Sequence, residues 1–173
     1  MSIGRLIILV SALAWANAFA QAPPPMERLL KTFVGTWRAS ESFEVSGPAR
    51  QGKTREGIAI FHAGPGPSLI EDYHSDGTAG KLDFLAMLWW DAAANRFEFL
   101  TCANSTSCHL RGTAKWEGTD LVNSWEEKID GKAARFTDAF VDITPDSFRL
   151  VSQGESGGKI IWRVITKYVR TRS

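Results

Sequence analysis

The densest run of chemistry-bearing side chains is His62 followed by Glu71-Asp72-Tyr73-His74-Ser75-Asp76. A hairpin turning at Gly64-Pro65-Gly66-Pro67 brings the two segments side by side. Along an extended strand Asp72 and His74 share one face. Imidazole plus carboxylate suits a hard or borderline metal ion, and the same pair suits general acid–base work. His62, Asp72 and His74 are therefore the candidate metal-ligating or catalytic set. The plainer reading is a solvated strand end beside a turn. Spacing places no third ligand, and the His-x-x-x-His pattern of helical zinc sites is absent.

Other chemistries find less support. No nucleophile elbow of the strand–turn–helix kind is read in the chain, and both cysteines look paired. Gly-x-Gly-x-x-Gly and Walker sequences are absent, so no nucleotide cofactor is expected, nor any other. The prolines of Gly64-Pro65-Gly66-Pro67 lack the N–H groups that a phosphate loop offers. The expectation leans away from an enzyme and assigns no catalytic residue.

Aromatic side chains are the stronger functional hint. Trp90, Phe99, Trp125, Phe136, Phe140 and Trp162 belong to a set larger than a small solid core needs, and they are the candidate lining of an apolar pocket. A packed interior is the bland counterpart. Asn123 and Glu127 flank Trp125 on one face, and Asp138 lies between Phe136 and Phe140. If these face inward they need hydrogen-bond partners. Arg111 and Arg135 are candidate partners for a carboxylate.

Cys102 and Cys108 flank Ala-Asn-Ser-Thr-Ser. If that stretch is a hairpin loop, the two cysteines oppose each other at a spacing that a disulfide spans.

Strands must position these groups. Gly and aromatic residues are frequent, with 15 Gly and 7 Trp in 173 residues. Alternation and turn chemistry give strands at 36–45, 53–62, 69–75, 81–90, 97–102, 108–117, 121–129, 132–143, 148–155 and 159–170. Leu82, Phe84, Ala86, Leu88 and Trp90 share a face, as do Ile160, Trp162, Val164, Thr166 and Tyr168. One short amphipathic helix over 26–34 precedes them and stops at Gly35. Short loops mean sequential antiparallel neighbours. About ten such strands leave edges that closure removes. The expected fold is all-β: an up-and-down antiparallel meander closed into a barrel, with one N-terminal helix.

Residues 1–20 read as a secretory signal peptide: Arg5, an apolar run from Leu6, and Ala18-Phe19-Ala20 before the cut. Residues 21–25 are a proline-rich leader, and 26–173 form the domain. No other stretch is long enough to cross a membrane as a helix. The expected location is the periplasm or the medium. The composition, 44% hydrophobic with net charge +1, is that of an ordinary globular protein and shows no nucleic-acid surface.

Leu30-Lys-Thr-Phe-Val34-Gly35-Thr36-Trp37 runs a helix into Gly-x-Trp, and the chain closes on Tyr168-Val169-Arg170. This resembles the calycin superfamily of lipocalin-like barrels. More specifically, it resembles an exported bacterial family of unknown function that opens with Leu-x-x-x-x-Gly-Thr-Trp. The resemblance implies that Trp37 plugs the closed end and that Arg170 stacks on it, a structural pair. Haem-binding relatives use a histidine near the C-terminus, whereas the last histidine here is His109. Fatty-acid-binding relatives clamp a carboxylate with late-strand Arg and Tyr. Arg163 and Lys167 fall opposite Trp162 and Tyr168, toward solvent.

Three functions follow as expectations. The first is an exported barrel binding a small apolar or amphipathic molecule. The second is a hydrolase or metal-dependent enzyme using His62, Asp72 and His74. The third is a structural protein with a filled barrel.

Overall fold

The computed structural model describes residues 24–46, 50–104 and 108–172, with the backbone alone at Pro24 and at 109–111. The expected signal peptide lies outside the described residues. Helix α1 (Pro24–Phe33) is followed by β1 (Gly35–Val45), β2 (Thr54–Ala63), β3 (Ser68–Asp76), β4 (Leu82–Asp91), β5 (Arg96–Ala103), β6 (His109–Glu117), β7 (Asp120–Ile129), β8 (Lys132–Val141), β9 (Ser147–Ser156) and β10 (Lys159–Arg170). Each strand runs antiparallel to its neighbour in sequence, and β10 returns to pair with β1, closing the barrel. The expected meander is the observed one.

Period-two patterning sets the inside and the outside. In β1, Trp37, Ala39, Glu41 and Phe43 are buried while the residues between them are exposed. The tight turns use residues that tolerate left-handed backbone. Asp130 and Gly131 join β7 to β8 with φ of 50° and 77°, as a two-residue hairpin matched to strand twist requires.

The helix starts at Pro24, ahead of the expected Met26. Proline suits a first turn, where its missing N–H has no intrahelical partner to lose. Met26, Leu29 and Phe33 form the buried stripe, each no more than 1% exposed. Phe33 meets Phe140 and Phe148, both with centroids at 5.2 Å. Arg28 anchors the other flank: its guanidinium lies 3.6 Å from the Trp116 ring centroid and donates to Gly118 O at 2.9 Å. The helix thereby plugs one end of the barrel.

Trp37 and Arg170 stand opposite each other in the β1–β10 register. The Arg170 guanidinium sits 4.0 Å from the Trp37 ring centroid. It also donates to Val34 O at 2.7 Å and Thr32 O at 3.1 Å, while Trp37 Nε1 donates to Phe33 O at 2.8 Å. Carbonyls at a helix C-terminus lack intrahelical donors; here a cation and an indole supply them. Gly35 makes the junction fit. Its φ is 142°, and a Cβ there would collide with the Arg170 guanidinium.

Because β1 leaves the plugged end, all odd-numbered strands run away from it. The β1–β2, β3–β4, β5–β6, β7–β8 and β9–β10 connections therefore form the open rim. Cys102 and Cys108 are joined by a disulfide at this rim, one step beyond the Thr101–His109 register pair.

Candidate functional site

Inward positions near the plug carry large side chains, and Trp37, Phe33, Phe97, Phe148 and Leu121 fill that half. Toward the rim, inward positions include Ala86, Thr101, Ala103, Ser152 and Thr166, and the barrel stays hollow. The resulting cavity has a volume of about 720 Å³, within the range of small-molecule sites. Its wall is mainly apolar: Phe84, Phe99, Trp125, Phe136, Phe140 and Trp162 all line it.

The aromatic wall has an identifiable support. On neighbouring strands, Trp125, Phe136, Gly154 and Trp162 stand in one register row. A Cβ on Gly154 would stand 2.6 Å from Phe136 Cε1, so glycine is what lets the phenyl ring lie across β9. There the ring stacks on Trp125, with centroids 5.3 Å apart and planes 13° from parallel. Trp125 Nε1 donates to Glu127 Oε1 at 3.0 Å. A bulge between Ile160 and Trp162 shifts the β10 register. Ile161 consequently joins Trp162 in the wall, whereas alternation alone points to Ile160.

One side of the cavity is polar. Glu41, 5% exposed, accepts from Arg55 Nε at 3.0 Å and Nη2 at 2.6 Å. It also accepts from the Tyr73 hydroxyl and, at 3.3 Å, from Ser75 Oγ. A buried charge pair needs such saturation to offset its desolvation. Burial, with the Glu41 charge second, pushes the Tyr73 hydroxyl far above its ordinary range.

Glu71 is different. It is 5% exposed and lines the same cavity. Its one hydrogen bond among the described residues is long: the Tyr168 hydroxyl donates to Oε1 at 3.4 Å. Burial pushes its carboxyl up to about 8, with Asp138, Asp72 and Glu41 adding repulsion; the Tyr168 bond opposes this only in part. At neutral pH Glu71 is a neutral acid on the polar side of a mainly apolar cavity. Burial likewise holds the Tyr168 hydroxyl well above its usual range.

The candidate metal or catalytic set falls elsewhere. Leu69, Glu71, Tyr73 and Ser75 are the buried face of β3, so Asp72 and His74 point outward. His62 Nε2 meets Asp72 Oδ2 at 3.1 Å on the outer surface. His74 pairs instead with Asp83, at 2.9 Å; that hydrogen bond and one from Lys81 hold the Asp83 carboxyl below its ordinary range. The three residues do not converge, and among the described residues no group of three or more His, Cys, Asp or Glu is placed to hold a metal ion.

Of the six aromatic candidates, five line the cavity and Trp90 does not. Trp90 packs edge-on against Phe97 at 5.0 Å, in the filled half. Arg135 is exposed on the outer face, and the Arg111 side chain lies outside the described residues. Gly154-Glu155-Ser156-Gly157-Gly158 has the letters of a nucleophile elbow, but it runs from β9 into a hairpin turn with no helix after it. Ser156 Oγ there donates to Ala133 O at 2.9 Å. Glu127 and Asp138, polar residues that the sequence sets among the aromatics, do line the cavity. Glu41 and Arg55 line it too and were not among the candidates, while Glu71 and Tyr73 were named only as members of the run beside His62. Their signal was parity: Arg55 shares a face with Ala59 and Phe61, and Glu71 with Leu69 and Tyr73.

No family model and no curated protein matches the chain. Solved structures do. Rv2717c from M. tuberculosis aligns with TM-score 0.61 at 15% identity, covering 88% of this chain and 100% of that one. The S-type phycobiliprotein lyase CPES from Guillardia theta aligns with TM-score 0.59 at 15% identity, covering 86% and 94%. At such identity the likeness is one of fold alone, that of the antiparallel barrel described above.

Proposed function

We propose that the protein is an exported barrel that binds a small amphipathic molecule inside its rim-side cavity. The observation that carries this reading is the hollow of about 720 Å³ walled by aromatic rings and bordered on one side by Glu41, Arg55, Glu71 and Tyr73. A wall of that kind offers apolar area for affinity and a few fixed polar groups for orientation. An interior with so large a void argues against a barrel packed solid. The enzymatic reading rested on His62, Asp72 and His74, and these lie across the barrel wall from the cavity.

Export is part of the proposal, supported by the Ala18-Phe19-Ala20 pattern and by the Cys102–Cys108 disulfide, a bond that persists in oxidising compartments. The opening Gly35-Thr36-Trp37 supports membership of the exported bacterial family it resembles.

Native mass spectrometry of protein isolated from its own host tests both parts. The expected spectrum shows a polypeptide beginning at Gln21 with a non-covalent adduct of small-molecule mass. A polypeptide beginning at Met1 contradicts export. Bare polypeptide under gentle desolvation contradicts a retained ligand.

A further inference from the structure

Glu41 and Arg55 satisfy each other, with Tyr73 and Ser75 completing the set. Glu71 has no such partner: Oε2 makes no hydrogen bond among the described residues, and Oε1 has only the long one from Tyr168. A second buried group in the barrel interior is also unmet. Asn123, 1% exposed, faces inward from β7 in register with cavity-lining Asp138, and neither Oδ1 nor Nδ2 has a partner among the described residues. Native proteins rarely leave buried polar atoms so. The cavity thus borders a carboxyl that, among the described residues, has only one long hydrogen bond.

We propose that the ligand is an organic cation, an aromatic or alkyl body bearing an amine whose ammonium pairs with the Glu71 carboxylate. This rests on the cavity being a small-molecule site. The aromatic wall takes the body.

The surroundings of Glu71 favour a cation over an anion. Asp138 on β8, Glu41 on β1 and outward-facing Asp72 on β3 all repel negative charge at this point. Tyr168 on β10 and Tyr73 on β3 remain neutral, and Glu127 on β7 lines the same cavity. Arg55 on β2 is the one described basic residue in the lining, and its Nε and Nη2 are both given to Glu41. The cavity-lining residues of β4, β5 and β9 carry no charge. An incoming carboxylate would meet repulsion at Glu71, and no guanidinium fork among the described lining residues stands free to take it. An incoming ammonium gains a desolvated, charge-assisted partner.

The proton balance follows. Glu71 is neutral in the empty protein at pH 7, so an ammonium binding there expels one proton to solvent. Apparent affinity for an amine must therefore rise with pH toward about 8, where Glu71 ionises unaided. Alkylammonium groups keep their charge over that range, as lysine does.

Three probes of equal chain length separate the cases: decylamine, decanol and decanoate, titrated at pH 7 and pH 8 by calorimetry and by quenching of the cavity tryptophans. The expected result is that decylamine binds about tenfold or more tighter than decanol at pH 8. Decanoate should be the weakest. Amine affinity should fall at pH 7, with proton release on binding. Glu71→Gln should abolish both the amine preference and its pH dependence while keeping decanol affinity, which also reports that the variant is folded. Equal affinity for amine and alcohol, preference for decanoate, or an amine preference that survives Glu71→Gln overturns the proposal. Binding of none of the three overturns the small-molecule site itself, and the cation proposal with it.

Discussion

Phe148 stacks on Tyr168 with ring centroids 4.4 Å apart and planes 13° from parallel, and this stack is where the barrel interior changes from filled to hollow. On the plug side Phe148 meets Trp37 at 4.7 Å and Phe33 at 5.2 Å. On the rim side Tyr168 sends its hydroxyl to Glu71. One aromatic pair therefore joins the residues that hold the fold to those that shape the cavity.

Trp37→Ala should destabilise the whole domain by about 3–5 kcal/mol, the usual cost of emptying a large aromatic site. Arg170→Ala should cost less, since it removes a cation–π contact of roughly 0.5–2 kcal/mol along with its hydrogen bonds to carbonyls. Denaturation curves for both single variants and the double variant check this. The two losses should not add, because the side chains touch; strict additivity would contradict the closure described above.

Reducing the Cys102–Cys108 disulfide should lower stability by only about 2 kcal/mol, because the loop it closes is short. Urea unfolding with and without reductant measures it. Reduction that unfolds the protein outright would mean that the rim depends on this bond more than its loop size allows.

Glu71 makes stability depend on pH. Its carboxyl is raised from 4.5 to about 8 on folding, so between those values the folded state holds a proton that the unfolded state has lost. Stability from this group is full below pH 4.5, declines as pH rises through the window, and levels off above pH 8. Glu71→Gln should remove that decline and make the protein more stable than the parent at pH 8. Thermal unfolding from pH 5 to pH 9 shows it. A parent and variant with parallel profiles would contradict a buried, proton-holding Glu71.

The barrel was legible because alternation and turns are local. Asp130-Gly131 marks its hairpin without reference to anything distant, and the strand boundaries followed to within a few residues. The site was less legible for two physical reasons. Grouping Asp72 with His74 was sound as parity, but which face looks inward depends on Leu69 and Tyr73 packing across the barrel. The Ile160–Trp162 bulge, moreover, shifts a register that strict alternation takes as fixed. Trp90 shares its face with cavity-lining Phe84 and Ala86, yet sits in the filled half; height along the barrel axis is a tertiary quantity that no period reveals.

Gly154→Ala should disturb the cavity more than the fold. The added methyl drives Phe136 off its place above β9 and away from Trp125. The tryptophan emission should change and affinity for an apolar probe should fall, with the far-ultraviolet dichroism unchanged. Unaltered emission and affinity would mean that Phe136 does not set the wall.

The most direct test of a binding cavity is equilibrium titration with N-phenyl-1-naphthylamine, a weakly basic dye that is uncharged at neutral pH and brightens in apolar surroundings. Thr101 lines the cavity and is half-buried, so Thr101→Trp is the variant that fills the space. The account predicts saturable one-to-one binding by the parent and a loss of about tenfold or more in the folded Thr101→Trp variant. Absence of saturable binding, or equal affinity in parent and variant, would contradict it.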